Sequence, residues 1–162
     1  MLHLTVVTLS GRAASGGAAP LKRVSSSSKR RPDLIIRITR PDEASEYADA
    51  VLVALEGRTV LVPAVWSLEI ANAVLVGERR KRLKQADVRR FVELLGGLTI
   101  IEHPQTLAGA MINVLPLARE YGLSAYDAAY LDIAVRQGAS LATLDSALQH
   151  AGRSAGIKVF EA

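Results

Sequence analysis

Short β-branched runs recur along the chain at helix-sized intervals, and this alternation constrains the fold more than any other feature. "LIIRI" (34–38), "TVLVP" (59–63), "LTIIE" (98–102), "SLATL" (140–144) and "IKVF" (157–160) read as strands. Helical segments lie between them. Pro41, Asp42 and Glu43 suit the first turn of a helix running to about Leu55, since proline is preorganised there and acids favour the positive end of the helix dipole. "AVWSLEIANAVLVGERR" is expected to be helical, apolar nearly all round between Ile70 and Val76 and therefore buried. "KQADVRRFVELLGG" predicts a helix with a Gly-Gly stop, and "QTLAGAMINVLPLAREYG" one ended by Gly122. Ser124 starts the next helix, and "DSALQHAG" is a short last one. Strands that alternate with helices pair in parallel through crossovers, so the expected class is α/β, a central parallel sheet with helices on both faces. Ligands in such sheets bind beyond the carboxyl ends of the strands.

At 162 residues the chain has the length of one domain with a proper core. It holds only two Phe and one Trp, so that core must be aliphatic. The absence of cysteine excludes disulfides and thiolate metal sites and fits a reducing, cytoplasmic location. No apolar run approaches the ~20 residues of a membrane helix, so no membrane partner is expected. The net charge of +4 is unevenly placed. Residues 1–40 hold eight Lys/Arg and one acid, whereas residues 41–162 hold twelve Lys/Arg and fifteen acids. The basic character therefore belongs to the leader. Within it, "SGRAASGGAAPLKRVSSSSKRRP" (10–32) is low in complexity and cannot bury enough apolar area to offset its ordering entropy. Residues 1–32 are read as a disordered or non-native leader and 33–162 as the domain. The leader's Arg/Ser-rich, acid-poor make-up also fits a transit peptide.

Three carboxylates stand out in otherwise apolar elements. Asp145 directly follows the "SLATL" strand, with Thr143 on the same face two residues earlier. It reads either as the N-cap of the next helix or as a functional group at a strand's carboxyl end. Asp127 falls between Leu131 and Ala134 in an apolar stripe that Ala128 and Val135 extend. Its alternative is a capping box with Ser124. Glu69 lies early in the expected buried helix "AVWSLEIANAVLVGERR", with Asn72 three residues on. Its plainer role is to stabilise the helix dipole. Asp132, four residues before Arg136, reads as a solvated ion pair. Clustered carboxylates repel, so three of them at one sheet edge call for a shared proton or a divalent cation. Oxygen-only ligands select Mg²⁺ or Mn²⁺ over zinc. His3, His103 and His150 are scattered and form no ligand pattern.

The segments "VPAVWSLEIANAVLVGERRKRL" and "YGLSAYDAAYLDIAVRQGASLATLD…GIKVF" resemble PIN-domain ribonucleases, specifically the VapC-type toxins of type II toxin–antitoxin systems. The resemblance runs from about Pro41 to Phe160. It implies a PIN-like three-layer sandwich, with Glu69, Asp127 and Asp145 as three of four acidic metal-site residues and Asn72 and Thr143 supporting them. It also implies an RNA substrate, a cognate antitoxin protein and a homodimer. The chain departs from the family at its first strand, of the form Val-Val-Asp-Ala-Ser, whose Asp would be the first ligand. "VVTLS" (6–10) echoes that strand with Thr8 at the Asp position but lies far upstream, and neither Asp33 nor Asp42 takes the Asp's place.

These readings lead to a Mg²⁺-dependent endoribonuclease in which the carboxylate-held metal activates a water in line with a phosphodiester. The basic run from Arg79 through Arg80, Lys81 and Arg82 is a candidate for phosphate contacts, or a solvated helix end where cations suit the dipole. The competing reading, favoured by the missing Asp, is a degenerate, weakly active or inactive domain that binds an antitoxin.

Overall fold

A computed structural model of the chain describes residues 6–8, 55 and 57–160. Four strands, β1 (Val6–Thr8), β2 (Thr59–Pro63), β3 (Thr99–His103) and β4 (Ser140–Ala142), form one sheet in the order β3-β2-β1-β4. The helices are α1 (Val65–Arg79), α2 (Gln85–Gly96), α3 (Leu107–Gly109), α4 (Leu115–Tyr121), α5 (Ala125–Gln137) and α6 (Ser146–Ser154). A π-helical turn, Ala110–Val114, joins α3 to α4.

Successive residues of a strand point to opposite faces. Val60, Leu61 and Val62 are all buried, as are Leu141, Ala142 and Thr143, so both faces of the sheet are covered. This is the three-layer α/β arrangement that the strand–helix alternation predicts.

β2 and β3 pair in parallel, from Thr59 opposite Thr99 to Pro63 opposite His103. β1 is antiparallel to both its neighbours, with Val7 opposite Leu61 on one side and Leu141 on the other. It follows that β2, β3 and β4 run one way. Val159 joins Leu141 in the same sense through an isolated bridge, with Phe160 N–H donating to the Leu141 carbonyl at 2.8 Å. The "IKVF" strand is thus reduced to one bridge.

The middle strand adds one reversed member to an otherwise parallel sheet, and its residues, Val6–Thr8, come from within the segment 1–32 read as a disordered or non-native leader. A three-residue β-branched run supplies ladder groups in either direction, and nothing in its own residues specifies which. "LIIRI", the segment 10–32, the acids Asp33, Asp42 and Glu43, and the helix before Leu55 lie outside the described residues. Leu55 itself is helical and buried.

Helix α5 forms the centre of the packing. All seven residues from Ala128 to Ala134 are buried, and Tyr130, Leu131, Ile133 and Ala134 share a core with the strand residues Val60, Leu61 and Leu141. Its ends follow from the sequence. Ser124 caps the start through its hydroxyl, and Gly138 ends it in the left-handed conformation that glycine adopts without strain. Helix α1 differs from expectation. It buries one face, marked by Trp66, Ala73 and Gly77, while Leu68 and Leu75 are exposed. Apolar residues all round a helix do not bury it when only one side has a sheet to meet.

Candidate active site

The chain turns at Thr143–Asp145 just beyond the carboxyl end of β4. Thr143 is fully buried, and its hydroxyl accepts the Asp145 backbone N–H at 3.1 Å. The Thr143 carbonyl accepts from the Gln149 side-chain amide at 2.8 Å, tying the turn to α6. The half-buried Asp145 is the N-cap of α6, with Oδ1 accepting the Leu148 N–H at 2.9 Å. The capping reading of Asp145 is therefore real, and it fixes the carboxylate at the strand end.

Asp127 has a similar local anchor. The Ser124 hydroxyl donates to Asp127 Oδ2 at 2.7 Å and accepts the Asp127 N–H at 3.1 Å. The side chain is half-buried beside the buried Ala128 and Ala129, which pack on Val114 of the π turn and Ala118 of α4. The apolar stripe expected to continue to Val135 stops at Ala134, because Val135 is exposed.

Glu69 has no such local anchor. It is half-buried on α1 and is held from across the molecule, where the Tyr130 hydroxyl donates to its Oε2 at 2.6 Å. Burial pushes the Tyr130 hydroxyl well above the ordinary tyrosine range. The hydrogen bond to Glu69 and the charges of Glu69 and Asp127 push it further. Glu69 and Asp127 are thus electrostatic neighbours of one phenol. Asn72, one turn along α1 from Glu69, is exposed. Sequence reasoning missed Tyr130. It lies sixty-one residues from its partner, and its only local signal is its place three residues after Asp127 on α5.

Asp132 needs correction. It is not a solvated pair member but a buried carboxylate, 3% exposed. Arg136 grips it through Nε at 2.9 Å and Nη2 at 2.7 Å. The i,i+4 spacing was legible, whereas the burial arises because α5 is enclosed on every side at this level. The guanidinium satisfies the carboxylate, so Asp132 stays outside the candidate site.

Arg79, Arg80, Lys81 and Arg82 are all exposed, and among the described residues none forms an ion pair. The turn that displays them depends on two apolar residues. Leu83 is buried and folds back onto Gly77, where a Cβ would lie 2.5 Å from Leu83 Cδ1. The Gly77 carbonyl accepts from the N–H groups of Arg82 and Leu83 at 2.9 and 3.3 Å. Lys81, between the arginines, takes a left-handed backbone.

The candidate donors are all carboxylate oxygens on half-buried side chains, a chemistry that suits a hard divalent cation. The grouping is partial. Tyr130 bonds Glu69 and its hydroxyl feels the charge of Asp127, but among the described residues no three His, Cys, Asp or Glu side chains gather closely enough to hold an ion.

Comparison with known proteins agrees with this architecture. The profile of the family described as PIN domain matches residues 34–154. Ribonuclease VapC3 of Pyrobaculum aerophilum is 32% identical over 109 residues, covering 67% of this chain and 81% of the relative.

Proposed function

This chain belongs to the PIN-domain family, with a VapC-type relative, and on that premise we propose that it is a metal-dependent endoribonuclease toxin. The observation that supports the proposal most directly is the hydrogen bond from Tyr130 to Glu69, which ties α1 to α5, the helix that carries Asp127. Asp145, at the end of β4, is the third member of the site. Glu69, Asp127 and Asp145 would hold Mg²⁺ or Mn²⁺, with Thr143 fixing the turn at Asp145 and Asn72 flanking Glu69. When bound, such a cation supplies Lewis acidity toward phosphodiester oxygens.

The chain's own groups have distinct tasks in that reading. Ser124 and the α6 backbone orient Asp127 and Asp145, so little reorganisation is needed when a substrate arrives. The exposed Arg79–Arg82 turn supplies sequence-independent contacts to RNA phosphates. Cognate antitoxin and homodimer contacts are further parts of the proposal. The exposed side chains of Leu107, Met111 and Ile112 support an apolar protein contact there. A cytoplasmic location fits the absence of cysteine and the absence, among the described residues, of a helix long and apolar enough to cross a membrane.

Asp127→Asn tests the assignment, because asparagine keeps the shape and part of the capping ability but loses the charge. Metal-dependent RNA cleavage is expected to vanish while the unfolding midpoint changes little. Undiminished cleavage by the variant sinks the site.

One observation favours the second reading, a weakly active or inactive antitoxin-binding domain. The strand in the middle of the sheet is Val-Val-Thr, reversed, and carries no carboxylate. A live site binds Mn²⁺ in a manner that Asp127→Asn weakens, and a degenerate one does not.

A further inference from the structure

Of the three carboxylates, Asp127 and Asp145 are each oriented by a hydroxyl or an N–H within three residues in sequence. Glu69 is different. It lies on α1, beyond that helix's first turn, and has three side-chain torsions to settle. Among the described residues it forms no ion pair, and its one hydrogen-bond donor is the Tyr130 hydroxyl. At 2.6 Å this is a short bond between a neutral donor and a charged acceptor, the stronger kind. The donor is rigidly held. Tyr130 is 2% exposed, and its ring belongs to the main core with Leu131, Ile133 and Leu141. A phenol has only two side-chain torsions, so a packed ring places its oxygen with little freedom. The bond occupies Oε2, and among the described residues Oε1 accepts no hydrogen bond.

We propose that Tyr130 is a positioning residue, whose buried hydroxyl fixes the Glu69 carboxylate by holding one of its two oxygens. The inference rests on the nuclease reading for what Glu69 then binds. The geometry parallels a general feature of metal sites, in which groups behind the ligands set ligand orientation and their loss costs about 10–100-fold in affinity or activity. A plainer account exists, since a buried phenol needs some acceptor and Glu69 provides one. The two accounts differ in what removing the hydroxyl does to ion binding.

Tyr130→Phe keeps the packed ring and deletes only the hydroxyl. Mn²⁺ binding to the RNA-free protein, measured by calorimetry, is expected to weaken about tenfold. Cleavage is expected to lose kcat with KM for RNA unchanged. In a Glu69→Gln background the same substitution is expected to leave the residual Mn²⁺ affinity unaltered, because the carboxylate it positioned is gone. Equal Mn²⁺ affinity in Tyr130→Phe and the unaltered protein overturns this inference alone, whatever the change in thermal stability. An unaltered protein that binds no Mn²⁺ overturns the inference together with the metal-dependent reading. Should Tyr130→Phe fail to fold, Glu69→Asp provides the second arm. Its shortened carboxylate cannot keep both the phenol and the ion position, so affinity is expected to drop likewise, and unchanged affinity overturns the inference.

Discussion

Removing the guanidinium of Arg136 is expected to destabilise the protein by about 2 kcal/mol. Asp132 is 3% exposed, and both its oxygens accept from Arg136. In Arg136→Met the aliphatic stem still covers the helix, but the carboxylate loses both donors. Stripping one partner from a fully buried pair costs about 3–5 kcal/mol. The Arg136 side chain, however, is 42% exposed, so water screens the pair and reaches the vacated position. That screening brings the expectation down to about 2 kcal/mol. The reverse deletion is milder. In Asp132→Ala the arginine turns into solvent, and the loss is about 1 kcal/mol. Combining Asp132→Leu with Arg136→Met removes the stranded charge and is expected to recover most of the deficit. Urea unfolding measures all three. With a slope near 2 kcal/mol per molar, Arg136→Met shifts the midpoint by roughly 1 M. If Arg136→Met costs no more than Asp132→Ala, or the double variant is no better than Arg136→Met, the carboxylate is not desolvated and the reasoning fails.

Deleting residues 1–9 removes β1 and leaves the ladder groups of β2 and β4 unpaired, at a cost on the order of 3 kcal/mol from several backbone bonds of about 1 kcal/mol each. An unchanged urea midpoint would show that the strand contributes nothing. Gly77→Ala gains about 1 kcal/mol of helix propensity but drives a methyl into Leu83, which typically costs about 1–3 kcal/mol. The net expectation is a small loss of stability with weaker, less salt-sensitive RNA binding, and a more stable variant with unaltered binding refutes it. Because the folded-state value for Tyr130 lies above the unfolded one, its contribution is complete below about pH 10 and is lost as pH rises toward the folded value. In metal-free buffer Tyr130→Phe should therefore lose less stability than the unaltered protein above pH 10, and parallel alkaline limbs would contradict this.

Much of the fold was legible because its signals are local. The β2 run is the observed strand residue for residue, and Gly122 and Ser124 end and begin helices for reasons intrinsic to each residue. Other features depend on what lies opposite. α1 exposes Leu68 and Leu75 because only one side of it meets the core, and α5 buries Asp132 because every side does. The reversed middle strand is the furthest from local control. Val6–Thr8 finds its slot between β2 and β4 through long-range pairing, which leaves no periodicity or cap in the chain near residue 6.

The candidate site divides along the same line, and the division explains why capping and function are not rival readings here. In an alternating α/β chain a helix begins soon after a strand ends, so a carboxylate that caps such a helix, as Asp145 does after β4, sits at the strand's carboxyl edge. The N–H it accepts from the helix fixes its direction. For Asp145 the bond from Leu148, and for Asp127 the exchange with Ser124, are therefore the means of orientation, and both were visible as Thr-x-Asp and Ser-x-x-Asp. Glu69 lies too far along α1 to use that device, so its orientation has to come from another element. That element is Tyr130, one turn beyond Asp127, so a single helix carries both a candidate ligand and the group that aims a second one. A substitution that rotates or shifts α5 is therefore expected to disturb Asp127 and Glu69 together while leaving Asp145, anchored on α6, in place.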